Sequence, residues 1–296
     1  MNEKLCLGTV QFGLQYGINN VLDRKPDVDE CFDILDYAIS MGIGCFDTAS
    51  VYGNAEQIIG SYKGFNDNVK IISKLRPMLK DDALSQDSIV QECQNTLKRL
   101  GKKALYGYLL HSAADMYSDD VLSGLHECKK SGLVENIGVS TYTPEEALYA
   151  VKNIDFNFIQ MPYNVFDQRL DYSGFFEQAK ERNVKIFARS AFLQGLLTME
   201  IEQIKVKMPK AVAYVEKFGK ICKSFGFTRK EAAFLFCYYH SSIDYVVFGV
   251  DTIKQLKENI VLLNKKAAFQ DCYDSLYGAF KDLDEEIINP SRWVKK

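Results

Sequence analysis

Apolar and polar positions alternate in blocks along this chain. Eight short runs rich in β-branched and aromatic residues, at 4–8, 44–48, 69–74, 105–111, 136–140, 156–161, 185–190 and 245–250, predict strands. Several are continuously apolar, which suits parallel strands covered by helices on their outer side. Between them, apolar residues recur every three or four positions. Segment 29–41 places Phe32, Leu35 and Ile39 on one stripe, and segment 85–100 does the same with Ile89, Cys93, Leu97 and Leu100. Helices are also expected over 119–130, 144–151, 175–182, 212–225, 230–240 and 253–264. Thr143-Pro144-Glu145-Glu146 supplies an N-cap and a proline at the first helical position.

Eight successive strand–helix units in 296 residues predict one α/β domain, a closed (β/α)8 TIM barrel spanning 1–296. A doubly wound sheet is the competing layout, but no GxGxxG follows the first strand. Two long polar stretches, 13–26 and 193–210, follow the first and seventh strands and would stand at the C-terminal mouth of a barrel. Beyond Ala267 the pattern predicts a further helix and coil.

Composition narrows the function. The chain is 47% hydrophobic and 25% charged, ordinary for a globular protein. Its net charge of −3 provides no basic field for nucleic acid or anionic lipid. No apolar run reaches the roughly 18 residues that a membrane span needs, and the opening Met1-Asn2-Glu3-Lys4 leads into a short strand rather than a signal peptide's apolar segment. The eight cysteines show no CxxC spacing and fall mostly at apolar positions, so buried reduced thiols, no metal and a reducing cytoplasm are expected.

Four strand ends carry chemistry. Asp47 ends the second strand and Tyr52 lies just beyond it; Lys74 ends the third strand and His111 the fourth. In a barrel these residues share one face. A phenol is a poor acid at neutral pH, an adjacent ammonium lowers its pKa, and a carboxylate keeps that ammonium charged and in place. His111 could orient a carbonyl oxygen or pass a proton to it. The set suits moving a proton to or from an oxygen while another group moves a hydride.

The stretch "FDTASVYGNAE" resembles a signature of the aldo-keto reductase family. Similar likeness occurs in order along the chain: "LCLGTVQFG", "IISKLRP", "YLLH", "NIGVSTYTPEEA", "FIQMPYN", "ARSAFLQGLL" and "VVFGVDTIKQLKENI". The resemblance implies a (β/α)8 barrel that reduces carbonyls with NADPH, NADH being the alternative. It implies that Tyr52 is the general acid, that Asp47 and Lys74 tune it, and that His111 orients the carbonyl. Gly8, Thr9 and Asp47, with Ser140 and Gln160 at the carboxamide, are implied nicotinamide contacts. Ser190, Gln194, Gly195 and Leu196 match the pyrophosphate loop, and Gly249, Thr252, Gln255, Glu258 and Asn259 the adenosine phosphate. Three positions depart from the pattern. Thr141 stands where Asn is usual. Asp251 puts an acid near the ribose 2′ position, with Lys254 able to compensate. Arg189 replaces an aromatic residue that stacks on nicotinamide, so it either lies against the ring or bridges to an anionic substrate group.

Two other functions stay open from sequence. One is a nicotinamide-binding regulatory subunit. The other is a Schiff-base lyase or aldolase built on Lys74, which would want a desolvated amine without the Asp47 partner. The substrate is expected to be a small carbonyl compound. Loops 14–26, 76–82, 112–117 and 199–210 carry Asn19, Asn20, Arg24, Arg76 and Lys80, which suit a sugar or a phosphorylated or nucleotide-linked compound better than a lipid. "LGTVQFGLQYG" and "ARSAFLQGLL" are similar to bacterial family members associated with carbohydrate metabolism.

Overall fold

A computed structural model describes residues 2–20, 22–79 and 85–293. Lys80 and the rest of 80–84 therefore lie outside the described residues. Eight parallel strands close on themselves in chain order: β1 (Leu5–Gly8), β2 (Cys45–Asp47), β3 (Lys70–Leu75), β4 (Leu105–Leu110), β5 (Val134–Ser140), β6 (Phe158–Pro162), β7 (Lys185–Arg189) and β8 (Tyr245–Gly249). β8 pairs back to β1 with Gly8 opposite Gly249. This is the expected barrel.

The starts of β5 and β6 moved by two residues, and every other strand boundary falls within one residue of the expected one. β5 starts at Val134 because that residue pairs with Leu105 on β4. β6 starts at Phe158, just after Asn157, whose Oδ1 accepts from Lys129 Nζ at 2.8 Å and from the Ile137 N–H at 3.0 Å and whose backbone bonds to Ile137 and Lys185.

The helices form the outer layer where the 3.6-residue stripes placed them: Val28–Ser40, Gln86–Leu100, Asp119–Lys130, Pro144–Asn153, Phe175–Glu181, Val212–Ser224, Arg229–Tyr239 and Ile253–Leu262. Capping boxes start four of them, at Asp27, Ser85, Thr143 and Thr228. The stretch 193–210 is less open than expected, because it contains the helix Ile201–Lys207. The tail carries two short helices, Gln270–Leu276 and Glu285–Ile288. No helix among the described residues is long and apolar enough to cross a membrane. All eight cysteines are buried free thiols.

A large core fills the space between sheet and helices. A second, smaller one fills the barrel: Cys6, Cys45, Ile72, Leu109, Phe158, Phe187 and Val247. Each buried phenylalanine there contributes about 1.5–3 kcal/mol. Phe158 reaches across to β4, where a Cβ on Gly107 would lie 2.6 Å from its ring. Phe187 stacks on Tyr245 at 4.4 Å, making the floor.

Strand side chains two positions apart share a face. Moving up two residues from each member of the inner core gives Gly8, Asp47, Lys74, His111, Gln160, Arg189 and Gly249. The barrel interior thus switches from apolar to polar in one step at its C-terminal end, and this switch positions the site.

Candidate active site

Asp47 and Lys74 form a buried ion pair, with side chains 5% and 1% exposed. Lys74 Nζ donates to Asp47 Oδ2 at 2.6 Å and to the Thr48 carbonyl at 2.9 Å, and it lies 3.4 Å from the Tyr52 hydroxyl. The other carboxylate oxygen of Asp47 accepts from Gln160 Nε2 at 2.8 Å. The backbone carbonyl of Asp47 accepts from the Thr9 N–H and Oγ1, at 2.9 and 3.0 Å. Tyr52 and His111 meet edge to face, with ring centroids 5.6 Å apart. The four residues expected from the strand ends therefore come together.

Their electrostatics differ from the expectation in one respect. Burial pushes the Tyr52 phenol above its ordinary value, and the opposing pulls of Lys74 and Arg189 do not cancel it. The expected net lowering is thus absent. For Lys74, burial works to lower the pKa, but the charge of Asp47 and the contacts with Asp47 and Tyr52 prevail and raise it. His111 is driven down to about 3 by burial, then by the Lys74 and Arg189 charges. Its imidazole is neutral at pH 7, and its Nδ1 is buried with no hydrogen-bond partner.

Above these residues opens a cavity of about 770 Å³. It runs from Tyr52 and His111 past Ser140, Gln160, Arg189 and Ser190 to Thr252, Gln255, Glu258 and Asn259 at the helix Ile253–Leu262. Gly8, Thr9, Gln194, Gly195 and Gly249 also line it. Leu196 does not: it is fully buried beneath the loop. Lys74 lies behind Asp47 rather than on the wall. The loop after β7 is strained, with Ser190, Leu193 and Gln194 at φ of 67, 47 and 51°. A Cβ on Gly13 would fall 1.7 Å from the Tyr52 carbonyl oxygen, so only glycine lets the segment after β1 press against the loop that carries Tyr52.

The residues present fit an elongated dinucleotide. Asn259 Oδ1 and Gln11 Oε1 are buried without partners beside the cavity, and a Cβ on Gly249 would intrude on Gln11 at 2.3 Å. The Aldo/keto reductase family model matches residues 4–272. The chain belongs to the aldo-keto reductase family. It is an oxidoreductase of a family that uses nicotinamide cofactors on small carbonyl compounds.

Among curated relatives, this aldo-keto reductase is 24% identical over 286 residues to the uncharacterized oxidoreductase YqkF of Bacillus subtilis (strain 168), covering 89% of this chain and 92% of that one. It is 23% identical to the NADH-specific methylglyoxal reductase of Escherichia coli (strain K12), covering 88% and 90%. Among solved structures, the holo form of aldo-keto reductase AKR11C1 from Bacillus halodurans superposes with a TM-score of 0.72 at 20% identity, covering 91% of both chains.

Several residues lining the reductase's cavity escaped the sequence reading. Tyr142 carries the Arg189 guanidinium on its ring at 4.3 Å. Its backbone is fixed by the Thr143 capping box, since the Tyr142 N–H donates to Glu146 Oε2 at 2.7 Å. Tyr16 accepts from Gln194 Nε2 at 2.9 Å, and Asn20 donates to Asp251 Oδ1 at 3.2 Å. The loop after β1 is thus strapped to the loops after β7 and β8. Tyr142 was findable, because it follows the β5 end by two residues. The strap was not, because its partners are more than 170 positions away in sequence.

Proposed function

We propose that the protein reduces the carbonyl of a small polar aldehyde or ketone to an alcohol, with Tyr52 as proton donor. The observation that carries this reading is the arrangement at the base of the cavity: a protonated phenol beside a buried ammonium–carboxylate pair and a neutral imidazole. Nicotinamide, when bound, supplies the hydride. Asp47 holds Lys74 charged, and Lys74 stabilises the phenolate left once Tyr52 has given up its proton. A raised phenol pKa keeps Tyr52 protonated at neutral pH, as a donor must be. His111, neutral, can offer one N–H to the carbonyl oxygen and fix its direction. The same pair argues against Schiff-base chemistry, since Asp47 keeps the Lys74 amine protonated and so not nucleophilic.

For the cofactor we infer NADH in preference to NADPH, although the sequence resemblance implied NADPH. Gly8, Thr9, Ser140 and Gln160 would hold the nicotinamide end, Ser190, Gln194 and Gly195 the pyrophosphate, and Thr252, Gln255, Glu258 and Asn259 the adenosine. Asp251, largely buried, receives Asn20 and Gln255 donors on its carboxylate. A carboxylate there can accept from a ribose 2′-hydroxyl and repels a 2′-phosphate. Of the two lysines among the described residues that line the cavity, Lys230 is committed to Glu258 at 2.5 Å, and Lys254 is the cation that would have to offset Asp251 for a 2′-phosphate to bind. The relative named as NADH-specific is consistent with this choice. The polar mouth, with Tyr16, Asn19 and Thr198, suits a sugar or sugar-derived carbonyl. Eight free thiols support a reducing compartment such as the cytoplasm.

The test is transfer of label. With NADH deuterated at nicotinamide C4 and a panel of sugar and short aldehydes, deuterium should appear on the product carbinol carbon as the reduced-nicotinamide absorbance falls. Binding of NADH with no label in any product would remove the reductase reading.

A further inference from the structure

We propose that Arg189 is the docking point for an anionic group on the substrate, so that the carbonyl compound reduced here bears a carboxylate or phosphate. This rests on the reductase reading and adds the substrate's charge to it.

The argument begins with the charges at the base of the cavity. Asp47 and Lys74 neutralise each other at 2.6 Å. His111 carries no charge at neutral pH. Arg189 is left over. Among the described residues Arg99 and Arg169 each meet a carboxylate, whereas no ion pair forms at Arg189. Asp167 feels the Arg189 charge, but its two oxygens are held by Arg169 at 2.8 and 3.0 Å. An uncompensated guanidinium therefore lines the cavity near the reacting phenol, close enough to act on both Tyr52 and His111.

The side chain is also held for the task. One face rests on Tyr142 at 4.3 Å. Nη2 donates to the Thr141 carbonyl at 3.0 Å, and Nη1 lies 3.4 Å from Ser190 Oγ. These contacts fix the plane yet use only two of five N–H groups, leaving the others for an acceptor. A carboxylate or phosphate matches that fork in charge and shape.

Stacking on nicotinamide is the rival use. It puts a cation against a ring that becomes positive as the hydride leaves, so it opposes carbonyl reduction. An anion on the substrate removes that repulsion by neutralising Arg189 before the hydride moves.

The test compares matched substrates: succinic semialdehyde against its methyl ester, and glyceraldehyde 3-phosphate against glyceraldehyde. In the native protein kcat/KM should favour the charged member of at least one pair by about 10- to 100-fold, and Arg189→Gln should collapse that ratio, with Arg189→Lys in between. The two pairs separate carboxylate from phosphate. Independently of turnover, succinate and glycerol 3-phosphate are titrated calorimetrically into the native protein with NADH. At least one should bind, and Arg189→Gln should weaken it about tenfold or more. Equal use of charged and neutral substrates, or anion binding unchanged in Arg189→Gln, overturns the proposal. So does loss of NADH affinity in Arg189→Gln that Arg189→Trp restores. If anions bind through Arg189 but no carbonyl is reduced, the anion site stands and the reductase reading falls.

Discussion

Replacing Lys74 by Met tests the buried pair at the base of the cavity. The ammonium is 1% exposed and contacts Asp47 at 2.6 Å, the Thr48 carbonyl at 2.9 Å and Tyr52 at 3.4 Å. Methionine retains the stem and removes the charge. Asp47 is then left with the Gln160 amide at 2.8 Å as its remaining side-chain donor. Stranding one partner of a buried pair costs about 3–5 kcal/mol. With an unfolding entropy of about 2.1 cal/mol/K per residue, a chain of this length should lose about 5–8 °C in Tm. Asp47→Asn alone should cost a similar amount. The double variant Asp47→Asn/Lys74→Met removes both charges and should fall short of the sum of the singles by at least about 1 kcal/mol. Urea unfolding of the four proteins at pH 7 measures this. A Lys74→Met loss below about 1 kcal/mol, or strict additivity in the double variant, would refute the reasoning.

Two further outcomes follow from the same geometry. The His111 pKa is about 3 in the fold against an ordinary 6.5, so between those values the unfolded chain binds the extra proton. Stability should therefore fall as pH drops from 6.5 toward 3, by up to about 1.4 kcal/mol per unit, softened by the ring's partial exposure. His111→Asn should flatten that part of the curve in urea titrations, and an unchanged slope would mean that the ring is not held neutral. At the other end of the cavity, Asp251→Ser should narrow the ratio of NADPH to NADH dissociation constants by roughly 5- to 30-fold, read by quenching of protein fluorescence. A ratio that stays put would detach Asp251 from the ribose.

The barrel was legible because the strands are short and apolar and all but the second are followed by a stripe such as Ile89, Cys93, Leu97 and Leu100. The four chemical residues were legible because they end or follow strands, where the inner face changes from Cys45 to Asp47 and from Ile72 to Lys74. Ile201–Lys207 was harder to see, since seven residues with only a few apolar positions make too short a stripe. The contact of Gly13 with Tyr52 joins segments 39 positions apart and leaves no local pattern. The pKa of Tyr52 depends on a balance of burial against two cations, and sequence supplies the cations without the burial. Arg189 was visible as a departure, but its Tyr142 support and missing carboxylate became apparent only in three dimensions.

Replacing Tyr52 by Phe tests the central claim most directly. It removes one oxygen, the atom 3.4 Å from Lys74 Nζ, and leaves the ring against His111. If that hydroxyl is the proton donor, kcat for carbonyl reduction should fall by at least about 10²-fold, while the NADH dissociation constant stays within a few-fold of the native value. A Tyr52→Phe protein that keeps more than a tenth of native turnover would contradict the account.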